Sequence, residues 1–166
     1  MNKKTLKGMS LLEILIVVAV FSILGVIVTR SVLLTLRGSK KSESQVKVRE
    51  NVSFSLGVIE RQLRNADSIT TCPNTDITRI DYKDEFGGAA SFSCIGLGGA
   101  DPYIASGSAR LTSNEITIES CSFVCEIGTS SNPPSIDVSI VASDPNAVGI
   151  EGSTVTTSTR IYLRSY

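Results

Sequence analysis

The sequence predicts an α+β protein. One long N-terminal helix, apolar in its first half and amphipathic in its second, packs on a C-terminal antiparallel β-sheet. Three observations carry this expectation. Met9–Val28 is a run of 20 residues in which Glu13 is the only charge. No proline occurs before Pro73, so no ring interrupts a helix in the first part of the chain. Beyond Thr70 come short alternating or β-branched stretches separated by Gly, Pro, Asn and Asp.

The expected order is a leader over 1–8, a membrane-length helix over 9–28, its amphipathic continuation over 29–69 and a β-rich globular part over 70–166. The leader holds Lys3, Lys4 and Lys7 and no acid, like the basic start of a signal sequence. The small-residue cleavage site that ends a signal sequence is missing, because Val28-Thr29-Arg30 follows the apolar run. At 1.5 Å per residue, 20 helical residues span about 30 Å, one hydrocarbon core. Lysines precede the run, and Arg30, Arg37, Lys40 and Lys41 follow it, so basic residues alone do not orient it.

One helix is expected from about Ser10 to about Ala66, with Gly25, Gly38 and Gly57 as weak points. Val48, Val52, Leu56, Ile59, Leu63 and Ala66 follow spacings of three and four and form one apolar stripe. One step back the stripe meets the polar Ser44 and Gln45. A stripe facing a sheet is the favoured reading; a coiled coil, with too few clean heptads, is the alternative. In the globular part, Ile77–Tyr82 and Ala90–Ile95 read as a hairpin centred near residue 86, with Gly87-Gly88 in its loop. Arg110–Thr112, Glu115–Glu119, Phe123–Ile127, Ile136–Ala142 and Val155–Leu163 read as further strands.

Composition excludes several functions. There is no His, so Ser-His-Asp and Cys-His chemistry is unavailable within the chain. No other catalytic constellation stands out, and an enzyme is not expected. Residues 76–166 carry five Lys/Arg against eleven Asp/Glu, a net of −6, which disfavours direct nucleic-acid binding by that part. Cys72, Cys94, Cys121 and Cys125 all follow the apolar run and read as disulfide candidates. The hairpin register sets Cys94 opposite residue 78, near the segment that starts at Cys72. Cys72–Cys94 is therefore the first expectation, with Cys121–Cys125 as the second bond. That second bond needs a turn or bulge around Ser122–Val124, since residues four apart on a straight strand stand about 13 Å apart. A four-cysteine zinc site lacks CxxC pairs. Asp81, Asp84 and Glu85 beside Gly87-Gly88 have the donor type of a calcium loop, but a solvated loop is the favoured reading, and neither metal nor cofactor is expected.

The decisive stretch is Gly8-Met9-Ser10-Leu11-Leu12-Glu13. It resembles the processing motif of type IV prepilins and type II secretion pseudopilins: a glycine, a hydrophobic residue, three further residues and a glutamate opening a long apolar helix. Met stands where most members carry Phe, and Arg30 stands where a proline is common. Arg49–Ile69 resembles, less specifically, the later first helix of minor pilins and J-type minor pseudopilins.

The resemblance implies a type IV pilin-like fold. It implies cleavage between Gly8 and Met9 by a prepilin peptidase, which also N-methylates Met9. It implies a single-pass precursor in the inner membrane, in contact with lipid, with its C-terminal part outside the cytoplasm. It implies delivery by an inner-membrane assembly platform, with its ATPase, into a filament of pilin or pseudopilin subunits. Glu13 would pair there with the N-terminus of an adjacent subunit. An uncleaved signal anchor carrying an extracytoplasmic binding domain is the alternative.

Overall fold

A computed structural model describes residues 10–72, 75, 77–128, 133–147, 149 and 152–163. The chain divides into two compact units, residues 1–40 and residues 41–166. One helix, α1 (Leu11–Arg64), supplies the described part of the first unit and the opening of the second.

In the first unit, the Ser10 carbonyl accepts hydrogen bonds from the N–H groups of Glu13 (3.0 Å) and Ile14 (3.3 Å), which places Ser10 at the N-cap. Helical structure passes through Gly25, Gly38 and Gly57 without interruption. Each glycine costs roughly 1 kcal/mol against alanine, which is not enough to end the helix at any of the three. Three hydroxyls in this unit bond back to the carbonyl four residues earlier: Ser22 to Val18 (2.8 Å), Thr29 to Gly25 (2.8 Å) and Thr35 to Ser31 (3.0 Å). Each hydroxyl is thus satisfied within the helix, as a polar group in an apolar medium must be.

In the second unit, the expected stripe is buried throughout. Val48, Val52, Ile59 and Leu63 are inaccessible, and Leu56 and Ala66 nearly so. The stripe also extends one turn further back than its apolar residues do. Ser44 is buried and shares a 2.9 Å hydrogen bond with the buried Ser153 hydroxyl. A polar pair therefore continues a hydrophobic face, which composition alone disguises. Arg61 and Arg64 stand in the last turn, where cations complement the helix dipole, and Arg64 pairs with Glu60.

The strands form two antiparallel sheets where the sequence predicts one. The first holds β1 (Ser68–Ile69), β2 (Arg79–Lys83), β3 (Ala89–Ile95), β4 (Tyr103–Ser106) and β5 (Ala109–Arg110) in that order. The second holds β6 (Thr117–Glu126), β7 (Ser135–Ser143) and β8 (Thr154–Tyr162). The hairpin register is as expected: Arg79 pairs with Ser93, and the Cys94 N–H donates to the Thr78 carbonyl at 2.7 Å. Its turn is closed by Asp84, whose Oδ1 accepts from the N–H groups of Phe86 (2.9 Å) and Gly88 (2.7 Å). Gly87 takes φ 79°, a conformation that disfavours any side chain, and a Cβ on Gly88 would meet Asp84 Oδ2 at 2.8 Å. The two stretches predicted as separate strands, Glu115–Glu119 and Phe123–Ile127, are one strand, β6, with its irregularity between Ile118 and Ser120. β1 and β4 are additional to the prediction.

The continuity of β6 also corrects the disulfides. Cys121, Phe123 and Cys125 all point inward from one extended strand, so Cys121 and Cys125 stand too far apart to bond. Each reaches a different element instead. Cys121 bonds Cys94 on β3, and Cys125 bonds Cys72 beyond β1, in place of the expected Cys72–Cys94 and Cys121–Cys125. The two bonds, with the Ile77–Phe123 bridge, tie β6 to the first sheet.

Candidate functional site

Two places invite a functional reading. The first is the apolar half of α1. From Leu11 to Leu36 its large apolar side chains are all exposed, from 42 % at Val17 to 80 % at Leu11. Eighteen-residue windows here reach a mean hydropathy of 3.0, enough to cross a membrane. Glu13 sits in the first turn, where the N-terminal end of the helix dipole favours a carboxylate. Among the described residues it has no ion-pair partner. Gly8 and Met9, the expected cleavage and methylation positions, lie outside the described residues.

The second is an open groove of about 390 Å³ between the last turns of α1 and the β2–β3 hairpin. Arg61, Gln62 and Tyr82 line it, with Glu85 and Phe86 at its rim. The Tyr82 hydroxyl donates to Gln62 Oε1 at 2.8 Å, and burial, with the nearby Asp84 charge, pushes it above the usual tyrosine range. Among the described residues that line it, no nucleophile is hydrogen-bonded to a base. The acidic loop beside it does other work. Asp84 holds the turn, and Asp81 forms an ion pair with Arg79 at 2.7 Å, which raises the Arg79 pKa. Among the described residues no three His, Cys, Asp or Glu side chains converge as metal ligands. All four cysteines are in disulfides.

The remaining charges brace the sheets. Arg160 on β8 holds Asp137 on β7 through two hydrogen bonds of 2.7 and 2.6 Å, with Glu126 at 3.9 Å. The guanidinium holds the Asp137 carboxyl below the usual aspartate range and is itself raised. Arg110 holds the Asp101 carboxyl below its usual range while lying over the Tyr103 ring at 4.7 Å.

A family model for the prokaryotic N-terminal methylation motif matches residues 3–29. The chain carries the type IV pilin and pseudopilin signature. No curated protein and no solved structure matches the chain. The matched stretch runs from Lys3 to Thr29 and includes Gly8, Met9 and Glu13. The motif is the one carried by type IV pilin and pseudopilin precursors, and it implies processing by a prepilin peptidase and assembly with other pilins. The transmembrane-capable helix beneath the motif fits a membrane-anchored pilin.

Proposed function

We propose that the chain is a minor structural subunit of a type IV pilus or type II secretion pseudopilus. A prepilin peptidase cuts between Gly8 and Met9 and methylates the new amine. The precursor waits as a single-pass membrane protein with its β-rich unit outside the cytoplasm. An inner-membrane platform then moves it into a filament. The proposed parts are a leader over 1–8, a span and filament-core helix over 9–28, an amphipathic continuation over 29–69 and an outer globular unit over 70–166.

The observation that carries this reading is the methylation motif joined to a helix whose apolar side chains are exposed from Leu11 to Leu36. A carboxylate near the start of that helix costs several kcal/mol at membrane depth unless a cation joins it. Cleavage creates such a cation at Met9. In low dielectric the attraction between that ammonium and Glu13 of a neighbouring subunit is much stronger than in water, and it selects one axial offset. The globular unit, with its two disulfides, suits the oxidising side of the membrane.

The test is the mass of the membrane-extracted protein from cells with and without prepilin peptidase. The expected result is loss of residues 1–8 and one added methyl group only when the peptidase is present. Retention of residues 1–8 in both would leave the signal-anchored binding domain as the reading.

A further inference from the structure

Between Glu13 and Glu43 the chain holds no acid, and its only charges are Arg30, Arg37, Lys40 and Lys41. The first three belong to the first unit and are exposed. None of them has an ion-pair partner among the described residues. At about 100° per residue, Arg30, Arg37 and Lys40 fall within about 80° of one another on α1. Ser31, Thr35 and Ser39 occupy the opposite side. Charges of mixed sign along a helix mark a face that meets water. Here the charges have one sign and one side.

We propose that Arg30, Arg37 and Lys40 form a binding surface for anionic phospholipid headgroups on the outer side of the membrane. The inference rests on the membrane-anchored orientation proposed above and adds a lipid class to it. Two observations choose lipid as the occupant. The first is position: the apolar run that fills one hydrocarbon core ends at Val28, so Arg30 enters the headgroup layer. The second is charge complementarity, because three unpaired cations face a phosphate-bearing surface. Each arginine offers a phosphate two parallel N–H donors, and Lys40 adds a point charge.

Lys40 stands about 15 Å beyond Arg30 along the helix axis, further than a headgroup layer of about 6 Å reaches. Three effects close that gap. Side chains on a helix lean toward its N-terminus, which here is toward the span. Tilt toward the cationic side lowers that side onto the surface. The negative surface potential extends roughly 8 Å further into the solvent. Under the proposed cleavage, Lys3, Lys4 and Lys7 depart with the leader. The processed chain then carries its basic excess beyond the span, opposite to the usual cytoplasmic excess, and anionic headgroups compensate it. The same contacts hold the waiting subunit at one depth and must break when it is lifted into a filament.

The experiment places the full chain in phosphatidylcholine vesicles doped with spin-labelled phosphatidylglycerol or spin-labelled phosphatidylcholine and reads the fraction of each label immobilised by the protein. Every sample carries Lys3→Gln/Lys4→Gln/Lys7→Gln, so the leader side chains contribute no charge. Immobilised phosphatidylcholine reports that the helix is inserted. The expected result is a preference for the anionic label of about threefold at low salt, falling toward parity at about 1 M salt. Arg30→Gln/Arg37→Gln/Lys40→Gln should abolish the preference, and Arg30→Lys/Arg37→Lys should keep most of it. Arg49→Gln removes an exposed cation of the second unit and should leave the preference unchanged. Equal association of the two labels, or a preference that survives the triple glutamine variant, overturns the proposal. An equal loss in Arg49→Gln assigns the preference to overall charge and overturns it as well. Equal association together with reduced filament incorporation of the triple variant in cells assigns the three cations to an acidic protein surface, which also overturns it. The leader mass scores the filament reading separately, so the two fail independently.

Discussion

The two halves of α1 are one helix with two opposite solutions to the same problem. In residues 44–63 the chain supplies its own cover, and the stripe from Ser44 through Val48, Val52, Ile59 and Leu63 is shut from solvent. In residues 11–36 apolar side chains are more numerous and all are exposed. Burial follows from partners and not from hydrophobicity. The more apolar half has no sheet of its own, so its cover is lipid before assembly and other helices afterwards, under the function proposed here. The polar Ser44 is buried because Ser153 meets it, while Leu11, the most exposed of the large apolar residues in the helix, waits for a neighbour.

Substitutions should separate the halves by what they destabilise. Unfolding of the second unit can be followed in mild detergent through its tyrosines, of which Tyr82 is buried, since the chain has no tryptophan. The largest effect is expected from Cys72→Ser/Cys125→Ser. This bond closes a sequence separation of 53 residues, and chain-entropy arguments put its loss at about 4 kcal/mol. Denaturant titration checks it, and a loss below about 1 kcal/mol would show that the remaining contacts of β6 are sufficient. Next comes Ile59→Ala, which deletes a fully buried side chain and should cost about 2–4 kcal/mol. Ile23→Ala in the exposed half should leave the same titration unchanged. Equal losses at both positions would erase the contrast between the halves.

Ser44→Ala is a smaller probe. It strands the buried Ser153 hydroxyl and should cost about 1–2 kcal/mol. Smallest is the effect of the pair Asp137–Arg160, which solvent screens at this exposure. Arg160 lowers the folded pKa of Asp137 below its ordinary 3.8. Its contribution is therefore complete above that value and is lost as pH falls through the lower, folded one. Acid titration of Asp137→Asn should show a shallower loss of stability below about pH 4 than the parent, while the two converge at the acid end.

What could be read from residues alone was what repeats locally. The stripe from Val48 to Ala66 has helical spacing, and the structure buries each of its members. The hairpin about residue 86 was legible because Gly87-Gly88 marks the turn, and strand pairing then places Cys94 opposite Thr78. Pairings between distant segments leave no such mark. Cys121 and Cys125 look like a local pair in sequence, but an extended strand holds them apart and hands each to an element 27 or 53 residues away. β4 has four residues within a glycine-rich region and acquires its strand character from β3 beside it. At the N-terminus the legible feature is Glu13, a charge out of place in an apolar run. Under the proposed function its partner belongs to another molecule, which the residues of one chain do not display.

Glu13→Ala is the most direct test of the central claim that the apolar half of α1 exists to be covered by other subunits. The measurement is incorporation into sheared filaments or membrane-bound pseudopili, normalised to the processed protein in the membrane. The account predicts membrane insertion and removal of residues 1–8 at the level of the parent chain, with incorporation reduced at least tenfold. Incorporation equal to the parent would contradict it, because an unpaired apolar helix would then enter the filament without the charge that sets its register.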